Sequence, residues 1–133
     1  MRLNTLFVSG TSGFSAQGNH IVNNNDVRFS EVFYNEGNDY NAATGVFTCR
    51  IPGIYWFSAT YYGSSGSYCH FVLNDNEQMY IAFPGGYHDT GTVSEVFRLR
   101  HGDRLQVGNC DQPSYSQFNR VNTFSGVLVN ADG

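Results

Sequence analysis

Hydrophobic and polar residues alternate along this chain in short runs. No stretch keeps apolar residues at i, i+3, i+4 and i+7 for three turns, so no helix is predicted. The alternation predicts strands over residues 4–9, 20–22, 27–34, 45–50, 54–62, 68–74, 78–83, 92–100, 103–108 and 122–130. Between them lie "NNND", "NEGND", "GSSGS", "NDNE", "PGGYHDTG" and "HGD", all rich in turn-forming residues. Many short strands separated by closely spaced turns imply a sandwich or a barrel. With no internal repeat or linker, residues 1–133 read as a single all-β domain.

One stretch is unusual. In "GVFTCRIPGIYWFSATY" (45–61), Tyr55, Phe57, Ala59 and Tyr61 fall on one strand face, and Ile54, Trp56, Ser58 and Thr60 on the other. Both faces carry large apolar residues at one end. A strand with one wet face should alternate apolar and polar, so this one is expected to be covered on both sides, by a second sheet and by a loop or another subunit. Pro52 cannot donate to a ladder and should mark a strand junction, with Gly53 letting the chain turn.

Composition narrows the function classes. With 133 residues the chain is long enough to bury a core without a metal staple. Its net charge is −4, and all seven cations are arginine, so a nucleic-acid partner is not expected. No apolar run approaches the roughly 20 residues that cross a bilayer, so no membrane insertion is expected. The opening "MRLNTLFVSG" lacks the long apolar core and cleavage site of a signal peptide.

At Phe33–Ser58 the chain reads F-Y-N-E-G-N-D-Y-N-x-x-T-G-x-F-T-C-x-x-P-G-x-Y-x-F-x. This resembles the globular head of complement C1q and its relatives. "FSA" at 14–16, "DTGTVSEVFRLRHGDRLQV" at 89–107 and "NTFSGVLV" at 122–129 follow in the family's order, so the resemblance covers about residues 13–129. It implies a ten-strand jelly-roll β-sandwich shared with tumour necrosis factor cytokines, assembled as a homotrimer. It also implies a secreted recognition module rather than an enzyme. No collagen-like stalk is present in this sequence, so it is similar to the head-only relatives that act as innate-immune lectins, binding glycans or other microbial surface ligands.

The candidate sites divide by chemistry. The family often pairs cysteines at the places of Cys49 and Cys69, and two buried thiols are the alternative. Either way Cys110 is left odd. His20, His70, His88 and His101 never come within two positions of one another, so the His-x-His pair of an enzymatic jelly roll is missing. No nucleophile elbow or comparable catalytic frame occurs. Some relatives hold calcium through two aspartates eight positions apart. Asp89 matches the second, but the first falls on Ile81, which offers no oxygen to a cation wanting six to eight. No cofactor is therefore expected, with calcium at Asp89 as the alternative.

Two surfaces remain as ligand sites. Tyr87, His88 and Asp89 offer a ring to stack on a sugar and polar atoms to bond its hydroxyls, or are ordinary loop chemistry. Arg98, Arg100 and Arg104 in "FRLRHGDR" suit carboxylates, sulfates and phosphates, or guard a solvated strand edge. Glycan recognition is the leading reading. The alternatives are a cytokine-like or adhesion ligand for a protein receptor, and a trimeric extracellular matrix scaffold.

Overall fold

The computed structural model describes residues 10–18, 20–22, 26–64, 68–82, 88–111 and 122–133. Twelve strands lie among them: β1 (Gly13–Gln17), β2 (His20–Val22), β3 (Asp26–Arg28), β4 (Glu31–Glu36), β5 (Tyr40–Asn41), β6 (Val46–Thr48), β7 (Gly53–Ser64), β8 (Tyr68–Leu73), β9 (Asn76–Ala82), β10 (His88–Leu99), β11 (Arg104–Asp111) and β12 (Thr123–Ala131). Ten of them form two five-stranded antiparallel sheets, ordered β10-β7-β12-β1-β4 and β5-β6-β11-β8-β9. β2 and β3 make a separate two-stranded ribbon. The strand expected at 4–9 lies outside the described residues.

The core fills the space between the sheets with aromatic rings. Tyr55, Phe57, Ala59 and Tyr61 are all buried, as the alternation requires. Phe14 stacks on Tyr40 at 4.6 Å and meets Phe124 edge-on at 4.9 Å. Such pairs add to the stabilisation given by area burial alone. Gly126 completes the packing, because a Cβ there would run into the Phe57 ring.

The alternation alone predicts neither β1 nor β5, and it joins β3 to β4. The run at 27–34 is broken between β3 and β4. The buried Tyr40 hydroxyl accepts from the Phe29 N–H at 3.0 Å and donates to the Phe29 carbonyl at 2.8 Å. Phe29 thus satisfies both backbone groups outside a ladder. β1 was suggested only by the resemblance of "FSA"; it runs between β12 and β4. The junction reading holds: Pro52 lies between β6 and β7, and its carbonyl accepts from the Asp132 N–H at 2.8 Å. At Gly53 a Cβ would collide with the Asn130 carbonyl and come within 2.9 Å of Ala131 Cα.

The expected Cys49–Cys69 pairing is corrected. The disulfide joins Cys69 to Cys110, 41 positions apart, and Cys49 is a buried free thiol. Sheet order explains this. β8 and β11 are neighbours, and their register shift between Gly108 and Asp111 brings Cys110 beside Cys69. β11 separates β6 from β8. Two strand spacings amount to about 10 Å, too far for a disulfide. Cys49 instead donates its S–H to the Ile51 carbonyl at 3.2 Å and lies 3.7 Å from the Tyr55 hydroxyl. Burial pushes this thiol's pKa up.

Candidate functional site

The outer face of the first sheet carries an apolar row. The register sets Trp56 of β7 directly between Val96 of β10 and Val127 of β12. These side chains are 44%, 53% and 45% exposed. The row continues to Gly13 of β1, which lies beside the exposed Tyr34 ring. Toward the other end of the sheet the rows become hydroxylic. Ser94 donates to Ser58 at 3.0 Å, and the Thr60 and Thr92 hydroxyls lie 3.0 Å apart. Among the described residues nothing covers the Trp56 side of β7, so they do not supply the expected second covering layer. Contiguous exposed apolar surface of this kind marks interaction sites.

The three arginines are not one anion site. Arg98 lies on the outer face of the first sheet, opposite Ile54, and its Nη2 is 2.7 Å from Asp132 Oδ1. Arg104 opens β11 in the second sheet and pairs with Asp75 at 3.3 Å. The Arg100 backbone N–H donates to Asp103 at 2.7 Å. Burial alone would raise the Asp103 pKa. The Arg100 N–H, the Asn74 amide and the Arg100 charge outweigh it and hold the carboxyl below its ordinary value. Arg98 and Arg104 are thus each paired with an aspartate, and Asp103 feels the Arg100 charge, which leaves less net charge for an acidic ligand.

Tyr87 lies outside the described residues. His88 and Asp89 are not in a loop: their backbones open β10, opposite Ser64 and Gly63. Their side chains are likewise outside the described residues. Ile81 is in β9 opposite Cys69 and brings no oxygen, so the two-carboxylate calcium arrangement does not fit this chain. His70 is buried beside the disulfide. Its Nδ1 is 3.1 Å from the Asn109 carbonyl, and its Nε2 is 3.6 Å from Glu77.

Sequence reasoning did not single out a further cleft. The edge strands β4 and β5 are joined through a left-handed turn at Gly37 and Asn38. Beside that turn lies a cavity of about 430 Å³ lined by Val32, Asn35, Asn38, Tyr40, Asn41 and Ala42. The signal present in the sequence was three asparagines within seven residues. Asparagine tolerates left-handed turns, so this spacing reads first as turn chemistry. Burial raises the Tyr40 pKa to about 12, against the opposing effects of its Phe29 hydrogen bond and the Arg28 charge. The phenol is therefore neutral at physiological pH.

Two five-stranded antiparallel sheets packed over one aromatic core, with no helix among the described residues, define a jelly-roll of the C1q and tumour necrosis factor class. A model of the C1q domain matches residues 13–129, and the chain belongs to the C1q-domain family. The sequence is 29% identical over 112 residues to complement C1q tumor necrosis factor-related protein 2 of Mus musculus, covering 80% of this chain and 38% of that protein. It is 34% identical over 111 residues to complement C1q tumor necrosis factor-related protein 5 of Homo sapiens, covering 78% and 46%. The chain thus spans less than half the length of these curated relatives. The globular domain of zebrafish complement 1qA protein superposes with a TM-score of 0.70 at 19% identity, covering 92% of this chain and 99% of that one. Murine APRIL superposes at 0.72 with 12% identity, covering 90% and 99%. At these identities the structures speak for the fold alone.

Proposed function

We propose that this chain is a secreted recognition module that assembles as a homotrimer and binds glycans or other microbial surface ligands. The observation that carries the proposal is the uncovered Trp56–Val96–Val127 row, on a strand whose opposite face is fully buried. A second and third copy of the chain are the covering layer that the sequence pattern calls for. Three sites on one trimer engage a repetitive surface with avidity well above that of a single site. The Cys69–Cys110 disulfide supports an oxidising, extracellular setting. No helix among the described residues is long and apolar enough to cross a membrane. The module acts by binding rather than by catalysis.

The test is binding of the purified protein to immobilised neutral and acidic glycans, with and without a chelator. Binding that survives chelation supports the reading, since Ile81 stands where a calcium ligand would be needed. Tyr87→Ala is expected to weaken binding if the 87–89 segment contributes. Replacing Arg98, Arg100 and Arg104 with alanine is expected to remove only a salt-sensitive part. A protein that binds no glycan but captures a receptor would instead support the cytokine-like alternative. One that does neither, yet assembles, would support the scaffold.

A further inference from the structure

The β4–β5 cleft has a lining whose hydrogen-bonding sense is fixed. Asn35 Oδ1 accepts from the Tyr40 N–H at 3.1 Å, and its Nδ2 donates to the Tyr40 carbonyl at 2.8 Å. That amide can be placed only one way round. Its Nδ2 also donates to Asn38 Oδ1 at 3.3 Å, so the Asn38 oxygen is engaged. Asn41 Oδ1 accepts from the Ala43 N–H at 2.8 Å, which fixes the third amide as well. In each case the oxygen is taken up within the protein. The Asn38 and Asn41 NH₂ groups are left as donors, on residues that line the cleft.

The rest of the lining, Val32, Ala42 and Tyr40, is uncharged, and the Tyr40 hydroxyl is taken up by Phe29. Val32 and Ala42 are half-buried and pack on the core from below. Asp39 lies within this segment, but it is drawn away to Ser12 at 2.6 Å and to Arg50 at 3.0 Å. A neutral cleft with small apolar residues beneath and amide donors beside them fits a ligand group with a methyl next to a strong acceptor oxygen. A plain hydroxyl group has no methyl to bury, and none of the lining residues is a cation that would pair with a carboxylate.

We propose that this cleft is a subsite for the acetamido group of a neutral N-acetylhexosamine. The methyl lies against Val32 and Ala42, and the carbonyl oxygen accepts from Asn38 and Asn41. The volume lies within the range of small-ligand clefts. This inference rests on the glycan reading and adds to it a place and a sugar class.

Two substitutions test it without dismantling the turn. Asn41→Asp keeps the oxygen that accepts from Ala43 N–H and replaces the donor with an acceptor. Asn38→Gly removes the amide at a position whose φ of 58° glycine adopts freely. N-acetylglucosamine, glucosamine and glucose would be titrated into ¹⁵N-labelled protein, following the asparagine side-chain NH₂ signals. The expected result is that N-acetylglucosamine alone shifts the Asn38 and Asn41 signals. Each variant should bind it about tenfold more weakly, the effect of one or two lost hydrogen bonds. Equal response to glucose, or unchanged affinity in both folded variants, overturns the subsite while leaving glycan binding elsewhere intact. No response to any sugar, together with no glycan-surface binding, overturns both the subsite and the reading it rests on.

Discussion

Replacing both Cys69 and Cys110 with alanine removes a cross-link between neighbouring strands of the second sheet. The bridge closes a loop of 41 positions. In the chain-entropy model that constraint contributes about 4 kcal/mol at 25 °C. For a chain of 133 residues, unfolding entropy scales to about 0.28 kcal/mol per kelvin, so the melting temperature should fall by about 14 °C. Cys49→Ala is the internal comparison. It removes one buried sulfur that bonds the Ile51 carbonyl, and should cost about 1 kcal/mol, or about 4 °C. The assay is thermal unfolding followed by circular dichroism at one protein concentration, under non-reducing conditions. Wild type treated with reductant should melt close to the double variant. If Cys49→Ala lowers the midpoint as much as the double variant does, the assigned connectivity is wrong.

Three further outcomes follow from the buried groups. The Cys49 thiol, raised by burial, should resist an aromatic disulfide reagent in the native protein and react as one equivalent in denaturant. Tyr40 is held protonated to about pH 12, against about 10 in an unfolded chain. Its contribution is therefore complete below pH 10 and is lost as pH climbs from 10 to 12. Tyr40→Phe should flatten that alkaline decline in the melting curve while costing about 1–3 kcal/mol at neutral pH, because both Phe29 backbone groups lose their partner. Gly53→Val should lower stability by about 3 kcal/mol in chemical denaturation, since its Cβ would collide with the Asn130 carbonyl; an unchanged midpoint would refute the close approach of β7 and β12.

The sheet architecture was legible because it depends on local alternation. The buried face of β7 could be read residue by residue, and Pro52 marked its start. What the pattern missed depends on contacts between distant segments. The Tyr40 hydroxyl ends a strand eleven positions away, and no periodicity carries that information. The disulfide went to the wrong partner because strand order, rather than spacing, decides which cysteines meet. The arginine cluster looked like one patch on paper. Asp132, Asp75 and Asp103 come from three other places in the chain or across its turns, and the fold sets each beside an arginine. The β4–β5 cleft was hidden for a related reason: whether an asparagine amide faces its own turn or a ligand depends on which of its atoms the backbone occupies.

The central claim is that the apolar row of the first sheet is covered by copies of the same chain. Multi-angle light scattering of the wild type and of Trp56→Glu, at the same micromolar concentration, tests it directly. Wild type is predicted to have a mass of three times 14.8 kDa. The variant is predicted to run at 14.8 kDa with its circular dichroism spectrum unchanged, because Trp56 is exposed on a single chain. A wild type that is monomeric and stays so on concentration, or a Trp56→Glu variant that still has the trimer mass, would contradict the account.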